Sequence, residues 1–187
     1  MEEVYIKDKN FEGKDPIVRG EYERCTFKNV HGTKMDFSDS IFTDCSFVGC
    51  DLSMAKLQKT SFASVQFRGC KLLGLAFDTC NPFGLSFSFN DCLLNHASFF
   101  KARISKTTFI KCQLKEADFT EADLTGVVFD NCDLQGSTFD NTILEKADLR
   151  TAFNFSINPV NNRIRKAKFS IAGLAGLLDQ FDIEIDN

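Results

Sequence analysis

The chain has 187 residues, 43% of them hydrophobic, and a formal net charge of −4. That size and balance describe one globular domain, and the acidic sign disfavours direct nucleic-acid binding. No apolar run approaches the length of a membrane-spanning helix, so a helical membrane protein is excluded.

Residues 1–19, MEEVYIKDKNFEGKDPIVR, are polar and out of register with the rest of the chain. Val4, Ile6 and Phe11 are expected to supply a short strand or hairpin that caps the next element. From residue 20 a five-residue rhythm sets in. Large apolar residues recur at every fifth position from Tyr22 to Phe87, broken only at Gly32 and Pro82, and again from Leu94 to Leu149 without a miss. The two frames hold 14 and 12 pentapeptides. From Leu114 to Leu149 a small residue stands two places before each large one, as in Ala117 before Phe119, and the place just before the large residue is often Asp. A period of five matches neither an α-helix nor a simple amphipathic strand, and such fixed self-similarity marks a solenoid. The predicted fold class is therefore an all-β solenoid over residues 20–151. If four pentapeptides make one turn, residues twenty apart stack, which predicts columns such as Phe27, Phe47, Phe67 and Phe87, or Phe99, Phe119 and Phe139.

Cys25, Cys45, Cys50, Cys70, Cys80, Cys92, Cys112 and Cys132 all occupy the small slot. They share it with Ala, Ser, Thr and Val, so they read as small buried hydrophobes rather than as disulfides or metal ligands. Reduced cysteines and the lack of a signal peptide imply a cytoplasmic protein. Between the frames, near residues 82–93, the rhythm slips by two residues amid Pro and Gly. Phe83, Phe89 and Phe100 fall outside the inward slots there; they either fill a kink or offer an exposed aromatic contact.

Residues 152–187 abandon the period. Arg163, Arg165, Lys166 and Lys168 form a basic segment. Ser170 then caps a short α-helix carrying Ile171, Leu174, Leu177, Leu178 and Phe181 at helical spacing. That apolar stripe requires a cover, either the last coil of its own chain or the same helix in a second subunit. Residues 182–185, DIEI, predict a terminal strand.

Nothing points to catalysis, and no cofactor or metal is expected. His31 and His96 take outward slots, with no nucleophile or ligand partner nearby in sequence, and no phosphate loop or zinc spacing occurs. Charge is the functional signal. Residues 116–148 hold nine acids against one base, among them Asp118, Glu121, Asp123, Asp130, Asp133, Asp140 and Asp148, whereas 101–115 holds five bases and no acid. The acidic segment is either a solvated solenoid face or a rigid anionic surface that steers a basic partner to itself.

The units EADFT, EADLT, NCDLQ and KADLR resemble the pentapeptide-repeat family, whose motif is A(D/N)LXX. The resemblance implies a right-handed quadrilateral β-helix. The stretches CDLSMAKL (50–57), NPFGLSFSFNDC (81–92) and the tail from residue 157 to 185 are similar to the branch that holds Qnr quinolone-resistance, albicidin-resistance and microcin-immunity proteins. That likeness implies a non-catalytic DNA mimic that binds DNA gyrase or topoisomerase IV, shields it from a poison, and dimerises through its C-terminal helix. Many Qnr proteins project long loops from the rod, and this chain has only its two-residue slip. The alternative is a repeat scaffold for some other protein partner.

Overall fold

In the computed structural model, which describes residues 4–181 together with 183 and 184, the chain winds into a parallel β-solenoid with four faces. Each pentapeptide makes one side of a coil. The small residue and the large residue two places on both point inward, as alternate residues of an extended segment must. Two places after the large residue the backbone turns the corner in the left-handed region, with φ of 52° at Asn29, 56° at Lys101 and 52° at Asn141. Such values are unfavourable for residues other than glycine. Here they are offset by ladder hydrogen bonds: the Lys101 N–H donates to the Thr120 carbonyl at 2.9 Å, and Glu121 to Asp140 at 2.8 Å.

Two faces are regular enough to form sheets. On the first, which carries Tyr22, the strands Tyr5–Lys7, Glu21–Glu23, Ile41–Thr43 and Ser61–Ala63 pair in parallel. On the second, which carries Phe27, seven strands run from Asn10–Glu12 to Val128–Asp130. The other two faces, those of Leu52 and Phe37, are laddered through isolated parallel bridges. The N-terminal segment is not a hairpin. Ile6 lies beside Tyr22 and Phe11 beside Phe27, so the five-residue spacing starts there, in a coil shortened to sixteen residues (22 minus 6).

Parallel strands stack about 4.8 Å apart, and the aromatic core follows that spacing. Ring centroids are 4.5 Å apart for Phe27 and Phe47, 5.1 Å for Phe47 and Phe67, and 5.1 Å for both Phe99–Phe119 and Phe119–Phe139. Rings within a column lie nearly parallel, whereas Phe99 meets Phe109 of the next column edge-on at 87°. Both geometries suit the aromatic quadrupole.

All eight cysteines are free and buried. Their slot selects for more than size. The Cys50 thiol donates to the Phe27 carbonyl at 3.2 Å and Cys132 to Phe109 at 3.3 Å; the hydroxyls of Thr60, Ser137 and Thr142 bond the carbonyls of Phe37, Leu114 and Phe119 in the same way. In every case the acceptor lies 23 residues back. Burial pushes the Cys45 thiol up to about 11, so it stays protonated at neutral pH.

The slip falls earlier than the sequence indicates. The Asn81 N–H still bonds the Thr60 carbonyl in the regular register, but Phe87 pairs with Val65, 22 residues back instead of 20, so two extra residues sit between residues 81 and 87. Phe89, not Phe87, therefore stacks on Phe67, with centroids 5.2 Å apart, and is buried. Phe87 pairs with Val65 in a small slot and leans into the room left by Pro82, 5.3 Å from the Phe77 ring. Phe83 projects from the tip, 85% exposed. Phe100 is half-buried under the Lys101 ammonium, 4.7 Å from its ring centre.

The tail differs from the expected α-helix. Ser170 does cap it, accepting from the Gly173 N–H, but Ile171–Leu177 is a 3-10 helix, followed by a second at Asp179–Phe181. Gly173 and Gly176 explain this. Three residues per turn place both on one face, and that face is pressed on Phe155: a Cβ on Gly176 would lie 2.2 Å from the Phe155 carbonyl oxygen. The Gly176 carbonyl also accepts from Ile157 at 2.8 Å. Of the expected strand at 182–185, residues 182 and 185 lie outside the described residues, and 183 and 184 show no strand.

Candidate partner-binding surface

The repeat sends the acidic residues to different sides of the rod. Asp118 bridges Ser98 and Thr138 on the Phe37 face, and Asp123 bridges Arg103 and Ile143 on the Tyr22 face. Asp133 lies between Gln113 and Phe153 on the Leu52 face, and Asp148 between Val128 and Lys168 on the Phe27 face. These four aspartates thus occupy four faces. They form a belt around the rod, not a stripe along it.

Each of the four also has a local structural task. The carboxylate accepts from the backbone N–H two residues on, at 2.8 Å for Thr120, 2.9 Å for Thr125, and 3.2 Å for Gln135 and Arg150. These Asx turns set up the corner that comes next, which is why Asp recurs before the large residue. Burial works against ionisation of Asp123, yet hydrogen bonds from Thr125 and Ser105 and the charge of Arg103 hold its pKa below the usual carboxylate range. Asp133 is lowered despite burial by Asn154, Gln135 and Lys115, and Asp148 chiefly by its hydrogen bond to Arg150.

Much of the belt is neutralised from neighbouring coils. Lys101 reaches Glu121 at 3.4 Å, Lys115 reaches Asp133 at 3.3 Å, and Lys168 approaches Asp148 at 3.8 Å. The basic stretch 101–115 therefore lies beneath the acidic one and pairs with part of it. Asp130 accepts from Asn131 and Thr151, and Asp140 from Asn141 and Asn161. His31 is exposed, and His96 lies 3.3 Å from Glu116 at the surface. Among the described residues no three His, Cys, Asp or Glu side chains cluster to hold a metal ion, and no helix is long and apolar enough to cross a membrane.

At the C-terminal end, Ile171 is 90% exposed, and Leu174 and Phe181 are also exposed. Leu177 packs against the chain's own core, and Leu178 is half-buried. The glycine side of this segment is thus closed by Phe155, and the apolar side faces out.

The model of the pentapeptide repeat region matches residues 19–87 and 85–153 of this chain. The chain belongs to the pentapeptide-repeat family. No curated protein matches it in sequence. Among solved structures it is similar to full-length QnrB1, a plasmid-mediated fluoroquinolone resistance protein, at a TM-score of 0.55 and 16% identity, over 96% of this chain and 100% of that one. It is similar at nearly the same level to HetL, a pentapeptide-repeat protein involved in heterocyst differentiation regulation in the cyanobacterium Nostoc. There the TM-score is 0.53 and the identity 15%, over 91% of this chain and 86% of the other. At these identities the likeness concerns the fold.

The basic residues of one face escape a linear reading. Arg103, Lys106 and Lys146 look unrelated to Arg163, Arg165 and Lys166 along the sequence. The twenty-residue spacing aligns them on the Tyr22 face, through the bridges Arg103–Asp123, Asp123–Ile143 and Ile143–Arg163.

Proposed function

We propose that this chain is a non-catalytic binding rod that docks on DNA gyrase or topoisomerase IV and protects the enzyme from a topoisomerase poison. The observation that carries this reading is the correspondence with QnrB1 over that protein's whole length, C-terminal segment included. The filled interior agrees with it, since the core is packed with apolar side chains and function is left to the surface. Assembly would be a homodimer through the outward side of the tail, where Ile171, Leu174 and Phe181 present an uncovered apolar patch suited to an isologous contact. Ile171→Glu with Phe181→Glu should then give a folded monomer. Sedimentation of the wild type as a monomer at micromolar concentration would reject the dimer.

A second reading is favoured by the belt. Acids on four faces do not make one continuous anionic stripe, and HetL, with a different role, is almost as similar in fold as QnrB1. A scaffold for another protein partner is compatible with both facts. Supercoiling by gyrase separates the two. The protein should restore supercoiling in the presence of a quinolone, albicidin or microcin. If it neither binds gyrase or topoisomerase IV nor protects either, the scaffold reading replaces the first. Replacing Asp118, Asp123, Asp130, Asp133 and Asp140 by Asn keeps an acceptor oxygen at each position and removes the charge. DNA mimicry by this segment requires binding to fall at least tenfold while the melting temperature holds; equal binding would leave the partner and refute the mimicry.

A further inference from the structure

The Tyr22 face changes character along the rod. Near the N-terminus its cations are paired: Lys7 lies 2.9 Å from Glu23, and Arg24 reaches Asp8 and Glu23 at 2.7 and 2.6 Å. In the middle, residues 82–85 replace the expected strand and present Phe83 to solvent. Beyond them stand Arg103, Lys106, Lys146, Arg163, Arg165 and Lys166, all exposed. Among the described residues none of these six lies within 4.0 Å of a carboxylate oxygen. The face holds two acids in the same coils, Asp123 and Glu145, so its C-terminal half carries six minus two, or +4, on a chain of net −4.

The ladder fixes where these cations stand. The Lys106 N–H bonds the Thr125 carbonyl, Gly126 bonds Glu145, and Lys146 bonds Arg165, so Lys106, Gly126, Lys146 and Lys166 share one corner column. At ~4.8 Å per coil, Lys106 and Lys146 are about 10 Å apart, and Arg103 and Arg163 about 14 Å. Along the rod axis the half-buried Ile143 stands between Asp123 and Arg163, with Arg103 one coil beyond Asp123 and Lys146 in the next corner, while Gly126 leaves the corner column low beside it.

We propose that this half-face is a docking surface for an acidic polypeptide segment of a partner protein, where cations outnumber the belt acids that cross it, and independent of whether the partner is a topoisomerase. An apolar centre within a charged rim is the anatomy of a protein interface. A continuous phosphate backbone suits the site less well. Asp123 and Glu145 interrupt the cations, and the surrounding acidic belt repels a long polyanion, whereas discrete carboxylates can be placed between them.

The test uses the full chain and a fluorescent 20-residue glutamate-rich peptide, with a random 20-bp DNA duplex as the competing probe. The peptide should bind more tightly than the duplex, and its affinity should fall at least tenfold between 50 and 300 mM salt. Lys146→Gln, Arg163→Gln and Lys166→Gln together should weaken peptide binding tenfold or more. Lys28→Gln, Lys34→Gln and Lys71→Gln on other faces, with the same change in net charge, should leave it within twofold. Should the first triple variant melt early, the pair Lys106→Gln and Arg163→Gln serves in its place. No peptide binding, equal losses in both sets, or tighter binding of the duplex to the same face would each overturn the proposal.

Discussion

The coils before residue 80 and those after residue 87 obey one rule inside and different rules outside. Inside, Phe47 on Phe67 and Phe99 on Phe119 stack at the same 5.1 Å, and hydroxyls such as Thr60 and Thr142 bond carbonyls 23 residues back in both halves. Outside, the first half of the Tyr22 face closes its cations Lys7 and Arg24 into ion pairs, while the second half leaves its cations unpaired among the described residues. The interior repeats because each side chain packs on its own kind one coil away. The surface is free to vary because water solvates whatever stands there, and in such a fold specificity is written on the outside.

The strongest way to break the comparison is to put a charge inside. Phe119 is fully buried between Phe99 and Phe139. Phe119→Asp removes the ring and buries a carboxylate with no partner, at a cost on the order of 5 kcal/mol or more. Thermal melts should show no cooperative transition. Because the interior is shared, Phe47→Asp in the first half should do the same. Thr120→Asp, one residue outward on a partly exposed side, should shift the melting temperature by only about 2 °C. A variant of Phe119→Asp that melts like the wild type would mean that the inward register is wrong.

The fold was largely legible because this register depends on a single short period. The columns of Phe99, Phe119 and Phe139, and of Phe27, Phe47 and Phe67, follow from counting by twenty. Counting failed where the chain stores extra length. Two frames can be drawn through Phe87, and only coil-to-coil hydrogen bonds decide that Phe89 inherits the Phe67 column. The donor role of the small slot was hidden because alanine also fits there and donates nothing. At the tail, helical spacing of Leu174, Leu177 and Leu178 outweighed the pair Gly173 and Gly176, yet the close approach to Phe155 selects the tighter 3-10 turn. The acidic segment was legible as composition but not as a surface. One coil consumes twenty residues, so a run of 33 residues (116 through 148) must wrap every face.

The gentlest probe compares one cap from each half. Asp36 caps Ser38, and its one ion pair among the described residues is with Lys56, at 3.9 Å, whereas Asp148 holds Arg150 at 2.8 Å with Lys168 nearby. The guanidinium of Arg150 is the main reason that the Asp148 pKa lies below its ordinary value. A depressed folded pKa contributes stability that is fully present above the unfolded value, near 3.9, and lost as pH falls through the folded one. Asp148→Asn preserves an acceptor for the Arg150 N–H but ends the ionic attraction. At pH 7 it should lower the melting temperature by about 2 °C or less, as expected of a solvent-screened pair. That difference should shrink on acidification and vanish once the wild-type carboxylate is protonated as well. Asp36→Asn, tested the same way, should give a smaller shift at pH 7, because its ion pair with Lys56 is longer, at 3.9 Å. A larger effect at Asp36 than at Asp148, or a difference at Asp148 that grows below pH 4, would show that the cap and not the charge pair carries the stability there.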